Sequence, residues 1–219
     1  MDGADLGFVS IKISAMRALI IVDVQNDFLP GGALAVSRGD EIIPTINAIE
    51  NQFELVIATQ DWHPADHGSF AANHLVQKPG DVINLHGLPQ VLWPAHCVQG
   101  SFGAEFSSDL AMHRVETIFR KGTDSKIDSY SGFFDNGHRK ATGLGGYLKD
   151  RGVSDVYVCG LATDYCVKFT AMDAMGLGFS VHLIEDACRG VELKPGDVAG
   201  AVKEMRLAGV KIENSGSLQ

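Results

Sequence analysis

The sequence lacks the marks of several large protein classes. None of its 219 residues sits in an apolar run near the roughly 18 residues that a membrane-spanning helix needs. Only four are cysteine, Cys97, Cys159, Cys166 and Cys188, and no two form a CxxC pair. That argues against a disulfide framework and for free thiols in a reducing, cytoplasmic setting. Positive charge is scarce: 18 Lys and Arg against 27 Asp and Glu give a formal net charge of −9. Such a balance excludes nucleic acid, or an anionic membrane, as the main partner. No repeat, linker or low-complexity segment divides the chain. The expected organisation is therefore one domain over 16–219, after an N-terminal extension at 1–15. That extension has two early acids and no long apolar stretch, so it makes a poor signal peptide.

What is present is an alternation. ALIIVDV (18–24), LVIATQD (55–61), VETIFRK (115–121), DVYVCGL (155–161), FSVHLIED (179–186) and VKIEN (210–214) read as six strands. Helical patterns at 40–52, 141–152, 162–176 and 195–209 fall between most of them; the last has Pro195 early and Gly209 late. This predicts an α/β fold: a doubly wound, six-stranded, mostly parallel sheet flanked by helices. Residues 62–114 form a long irregular stretch, of a length that usually serves function. In such sheets ligands bind beyond the C-terminal strand ends, where Asp23, Asp61, Lys121 and Leu161–Ala162 are expected.

Cys166 follows the fourth of these strands by five residues. With Thr163 as N-cap it falls in the first helical turn, where free N–H groups and the helix dipole favour a thiolate. A free cysteine is more often structural, and position alone leaves both readings open. Cys159 and Cys188 read as structural, Cys97 as undecided. Asp23 and Lys121 end apolar strands. They are either a general base with a cationic neighbour, or an ordinary salt bridge. Asp61 and His63, two residues apart, together with His96 form a mixed oxygen and nitrogen set suited to zinc, manganese or iron. His67 or Ser69 could complete it. A hydrogen-bonded histidine is the plainer alternative for each.

The segments ALIIVDVQNDFLPGGALAV, ATQDWHPADHGSF, LWPAHCVQG, FRKGTDSKIDSYSGFFDN and GLATDYCVKFTAMDA run in one order across 16–190. In them the chain resembles the nicotinamidases (pyrazinamidases) of the isochorismatase-like hydrolase superfamily. The resemblance implies hydrolysis of nicotinamide, and of pyrazinamide, to the acid and ammonia through a cysteine thioester, in NAD salvage. It implies Asp23 as base, Lys121 as its cation and Cys166 as nucleophile. It implies one divalent ion, zinc foremost, on Asp61, His63 and His96. Ala162 and Cys166 N–H groups would form an oxyanion hole, beside a cis peptide at Leu161–Ala162. Phe28, Trp93, Tyr130, Leu161 and Tyr165 would bind the small-molecule substrate. A homo-oligomer is left open. The alternatives are an N-carbamoyl or ureidoacrylate amidase of the same superfamily, which generally lacks the metal motif, or a non-catalytic metal or small-molecule binding module.

Overall fold

The apolar run after Met16 forms β1 (Met16–Val22), and its last five residues are wholly buried. A computed structural model describes residues 16–218, so the expected extension at 1–15 lies outside the described residues. The chain continues through α1 (Ile43–Ile49), β2 (Leu55–Asp61), a hairpin of β3 (Val82–Leu85) and β4 (Leu88–Val91), and β5 (Val115–Lys121). It then passes through α2 (Leu144–Asp150), β6 (Val153–Leu161), α3 (Lys168–Gly176), β7 (Ser180–Arg189), α4 (Asp197–Leu207) and β8 (Lys211–Glu213). The six-stranded sheet has the order β5-β2-β1-β6-β7-β8, and every pairing is parallel.

That order locates the site. The chain starts in the middle of the sheet, builds outward through β2 to β5, then returns to place β6 on the other side of β1. The direction reverses between β1 and β6, and a crevice opens at such a switch point beyond the C-terminal strand ends. The inner strands are apolar on both faces, as helix-covered parallel strands must be. Edge strand β5 alternates instead, with Glu116, Ile118 and Arg120 outward.

Several boundaries differ from the sequence reading. The expected helix at 40–52 is a short α-helix between two 3-10 turns. The expected helices at 141–152 and 195–209 are trimmed to 144–150 and 197–207. The irregular stretch 62–114 contains the β3–β4 hairpin. Its turn residues, His86 and Gly87, both have positive φ, as a two-residue hairpin turn demands. Cys188, read as a loop residue, lies in β7 opposite Gly160. The helix expected from Ala162 opens as a π-turn, Thr163–Val167, and is α-helical only from Lys168. Thr163 is therefore not an N-cap. Ala162 holds that position without a side-chain cap, and its carbonyl receives the N–H groups of Tyr165 and Val167.

Candidate active site

Three strand ends bring one ammonium against three other groups. Lys121, the last residue of β5, is fully buried; its Nζ stands 2.8 Å from Asp23 Oδ2, 2.5 Å from Asp61 Oδ1 and 3.3 Å from Cys166 Sγ. The Ser129 carbonyl also accepts from it at 3.1 Å. Asp23 lies one residue past β1 with φ of 50°, an uncommon conformation for a residue with a side chain, though aspartate tolerates it better than most. Its Oδ1 accepts the Thr59 hydroxyl at 2.7 Å. Gly160 permits this convergence, since a Cβ there would fall 2.1 Å from the Val22 carbonyl oxygen.

Burial and charge compete at each group. Burial raises the Asp23 carboxyl above its ordinary range, and Lys121 only partly reverses this. Burial also opposes charge on Lys121, but Asp23 and Asp61 outweigh it and hold the ammonium well above its ordinary value. Burial pushes the Cys166 thiol well above its usual value, against the pull of Lys121. Burial thus works against the thiolate that a helix N-terminus favours, while the Lys121 ammonium beside the sulfur works for it.

Beside this cluster stand the imidazoles. Asp61, His63 and His96 are all buried, and their ligating atoms lie within 4.8 Å of one another. His63 Nδ1 donates to the Gly122 carbonyl at 2.9 Å, and His96 Nδ1 to the Pro94 carbonyl at 2.8 Å. A carbonyl can only accept, so Nδ1 carries the proton and each Nε2 is left to face Asp61 Oδ2, at 3.5 and 3.9 Å. Burial pushes His96 down to about 4. Lys121 and His63 hold Asp61 well below the ordinary range, although burial opposes this. One carboxylate oxygen and two oriented imidazole nitrogens are a donor set that fits a divalent transition ion with positions to spare. Gly122 is required here, because a Cβ on it would lie 2.2 Å from the His63 ring. Ser69 is buried and bonded to His67 rather than turned to this trio.

Above both clusters is a cleft walled largely by aromatic side chains. Phe28, Trp93, Tyr130, Ala162, Tyr165 and Cys166 line it, with Asp61, His63 and His96 at its floor. Leu161 does not line it. That side chain is wholly buried in the core, and the residue contributes through the cis peptide bond to Ala162.

Several contributors escape sequence reasoning. Gln25 stitches the β1 exit to the β2 exit, accepting from Asp61 N–H at 2.8 Å and donating to the Asp61 carbonyl at 2.9 Å. Asp27 accepts the Cys97 N–H at 2.7 Å and so anchors the segment carrying His96. Asp128 lines the cleft and accepts from Gln90 of β4 at 3.0 Å. Gln90 and the Trp93 indole also donate to the hydroxyl of Tyr130, which the resemblance had already placed in the pocket. Leu34 and Val191 form further wall. Each lies in polar or loop sequence with no periodicity to single it out.

Comparison with known proteins gives this geometry a relationship. Residues 17–215 match the family model described as Isochorismatase domain. The chain is 50% identical over 200 residues to a nicotinamidase of Escherichia coli (strain K12), covering 90% of this chain and 93% of that one. It superposes on a nicotinamidase/pyrazinamidase structure from Acinetobacter baumanii with a TM-score of 0.91 at 50% identity, covering 95% of this chain and all of that one. It also superposes on a pyrazinamidase of Pyrococcus horikoshii determined in complex with zinc, with a TM-score of 0.74 at 42% identity, covering 90% and 98%. The chain therefore belongs to the isochorismatase family, within its nicotinamidase/pyrazinamidase branch.

Proposed function

We propose that the chain hydrolyses nicotinamide, and its analogue pyrazinamide, to the carboxylic acid and ammonia, with Cys166 as nucleophile. The observation that carries this reading is the single buried ammonium of Lys121, in contact at once with Asp23, Asp61 and the Cys166 sulfur. It joins a proton-transfer pair to a metal-ligand set at the floor of one aromatic cleft.

In this reading Phe28 and Trp93 bracket the flat ring, leaving its carboxamide over Cys166. Asp61, His63 and His96 hold a divalent ion, zinc foremost; the donor set and the zinc complex of the Pyrococcus horikoshii relative support that choice. When bound there, the ion would supply Lewis-acid chemistry at the base of the cleft. Asp23 accepts the thiol proton as sulfur attacks the carbonyl carbon. Lys121 steadies the sulfur's developing negative charge at 3.3 Å. The N–H groups of Ala162 and Cys166 receive the oxyanion, a contribution typically of about 2.7–4 kcal/mol per donor. The C–N bond then breaks, and Asp23 returns the proton to the departing ammonia. Water next attacks the thioester carbonyl and gives a proton to Asp23. The C–S bond breaks and the proton returns to sulfur. The four free, buried cysteines support a reducing, cytoplasmic setting.

The test is ammonia release from nicotinamide. Metal-replete protein is expected to release it, chelator to stop it and restored zinc to recover it. Cys166→Ala is expected to lose at least ~1,000-fold in kcat while keeping its metal. Absence of ammonia from the metal-replete protein, or full activity in Cys166→Ala, overturns the proposal.

A further inference from the structure

One carboxylate ties a wall of the cleft to the turn that carries the nucleophile. Asp164 lies inside that turn, Thr163–Val167, between Ala162 and Cys166, and is buried. Its Oδ1 accepts the Val191 N–H at 2.9 Å, and its Oδ2 accepts the Glu192 N–H at 2.8 Å. Two successive backbone N–H groups turned to one side make a concavity suited to an anion. Glu192 has φ of 51°, the left-handed conformation that such a concavity uses. Here the anion is supplied by the chain itself. Both bonds are charge-assisted, which makes them stronger than neutral ones and more exacting in geometry.

What this clamp holds is cleft wall. Val191 lines the cleft, and Leu34 is the other branched aliphatic side chain on it. Val191 stands in the loop between β7 and α4. A loop has no ladder to satisfy its backbone groups, so its position follows from the partners they find. For Val191 and Glu192 that partner is Asp164. Gly190 shows how closely the loop is pressed onto it. A Cβ there would fall 3.0 Å from Asp164 Oδ1 and collide with Val198 of α4.

We propose that Asp164 is a positioning residue that sets Val191 against the cleft, so that one turn places both the nucleophile and a wall that limits the width of the substrate ring. This rests on the reading that the cleft takes nicotinamide. Asp164 lines no part of the cleft and acts through Val191. Its effect therefore falls on which flat amides enter and how tightly they are held. The chemical step, which belongs to Asp23, Lys121 and Cys166, is left nearly untouched.

The experiment is steady-state ammonia release by the metal-replete full chain from two amides: nicotinamide and a benzo-fused analogue, a quinoline carboxamide. The wild-type chain is expected to prefer nicotinamide. Val191→Ala is expected to narrow that preference about tenfold, the scale on which small apolar groups in a pocket separate substrates. Asp164→Asn keeps the shape but one accepting oxygen, and should narrow it by less. The same variant should raise KM for nicotinamide about three- to tenfold, with kcat within about twofold. Gly190→Ala displaces the loop without altering the carboxylate and should act in the same direction, which keeps the clamp testable should Asp164→Asn fail to fold. Asp164→Asn with Val191→Ala should narrow the preference little more than Val191→Ala alone, because both act on one wall. A fall in kcat with KM and preference unchanged in Asp164→Asn overturns the inference, since the carboxylate would then serve the nucleophile turn. So do an unchanged preference in Val191→Ala or strict additivity of the pair. A wild-type chain that releases no ammonia from nicotinamide brings down the functional reading and this inference with it, a result told apart from the others before any variant is made.

Discussion

Asp23 and Glu50 are both buried carboxylates just outside the inner strands, yet they have opposite surroundings. Asp23 follows β1 and has an ammonium at 2.8 Å and a hydroxyl at 2.7 Å. Glu50 lies in the turn between α1 and β2, is 1% exposed, and has neither oxygen in a hydrogen bond. Burial raises Glu50 to about 7, and the attraction of Arg114 only moderates this. The difference teaches what burial alone does to an acid. Unaccompanied, it keeps the proton and weakens the fold when that proton leaves. Accompanied by a cation and a sulfur, the same desolvation becomes a means of moving a proton to order.

The comparison can be broken most severely at Asp23. Asp23→Asn is nearly isosteric and leaves Lys121 its contact with Asp61, so the fold and the bound metal are expected to survive. kcat should fall by about 10²–10⁴, the typical worth of a general base. Steady-state ammonia release beside metal analysis checks this, and a loss below tenfold would sever Asp23 from catalysis. Thr59→Val makes Asp23 more like Glu50 by removing its hydroxyl donor. A drop of roughly tenfold in kcat with KM little changed is expected, since one hydrogen bond to a charged group is worth about 1.5–3 kcal/mol.

Glu50→Gln should be the mirror image, silent in activity and visible in stability. In the unfolded chain this carboxyl titrates near 4.5 and in the folded chain at about 7, so the fold binds the proton more tightly. Wild-type stability should then fall as pH rises from about 4.5 through 7. The glutamine variant carries no such dependence. Its advantage should be absent near pH 4 and grow to at most ~3 kcal/mol by pH 8. Denaturant melts at the two pH values measure it, and an equal effect at both would mean that folding leaves the Glu50 titration unshifted.

Much of the fold is legible from residue order. Continuous apolar runs such as Leu19–Val22 and Val56–Ala58 read as inner strands of a covered sheet; the assignments 55–61 and 115–121 match the structure at both ends, and the other four differ by a few residues at one end or both. Less legible are features decided by groups distant in sequence. The π-turn at Thr163–Val167 comes from where Ala162 must stand, not from helix propensity. The hairpin inside 62–114 is announced only by His86-Gly87, a weak turn signal. Gln25, Asp27, Gln90 and Asp128 carry no pattern at all, because a single buried hydrogen bond leaves no periodicity behind. Leu161 stands beside the site in sequence, and its side chain is packed in the core.

By itself the sequence determined the chemistry on offer, through which side chains stand at strand ends: a carboxylate, an ammonium, a thiol and an Asp-x-His pair. It determined the sheet as well, because apolar periodicity is local and survives in one dimension. Tertiary structure alone decided which of these groups meet and what state they meet in. Strand order put β1 between β2 and β6, and carbonyl partners oriented the imidazoles of His63 and His96. Proton affinities then followed from distances and burial that exist only once the chain has closed around them.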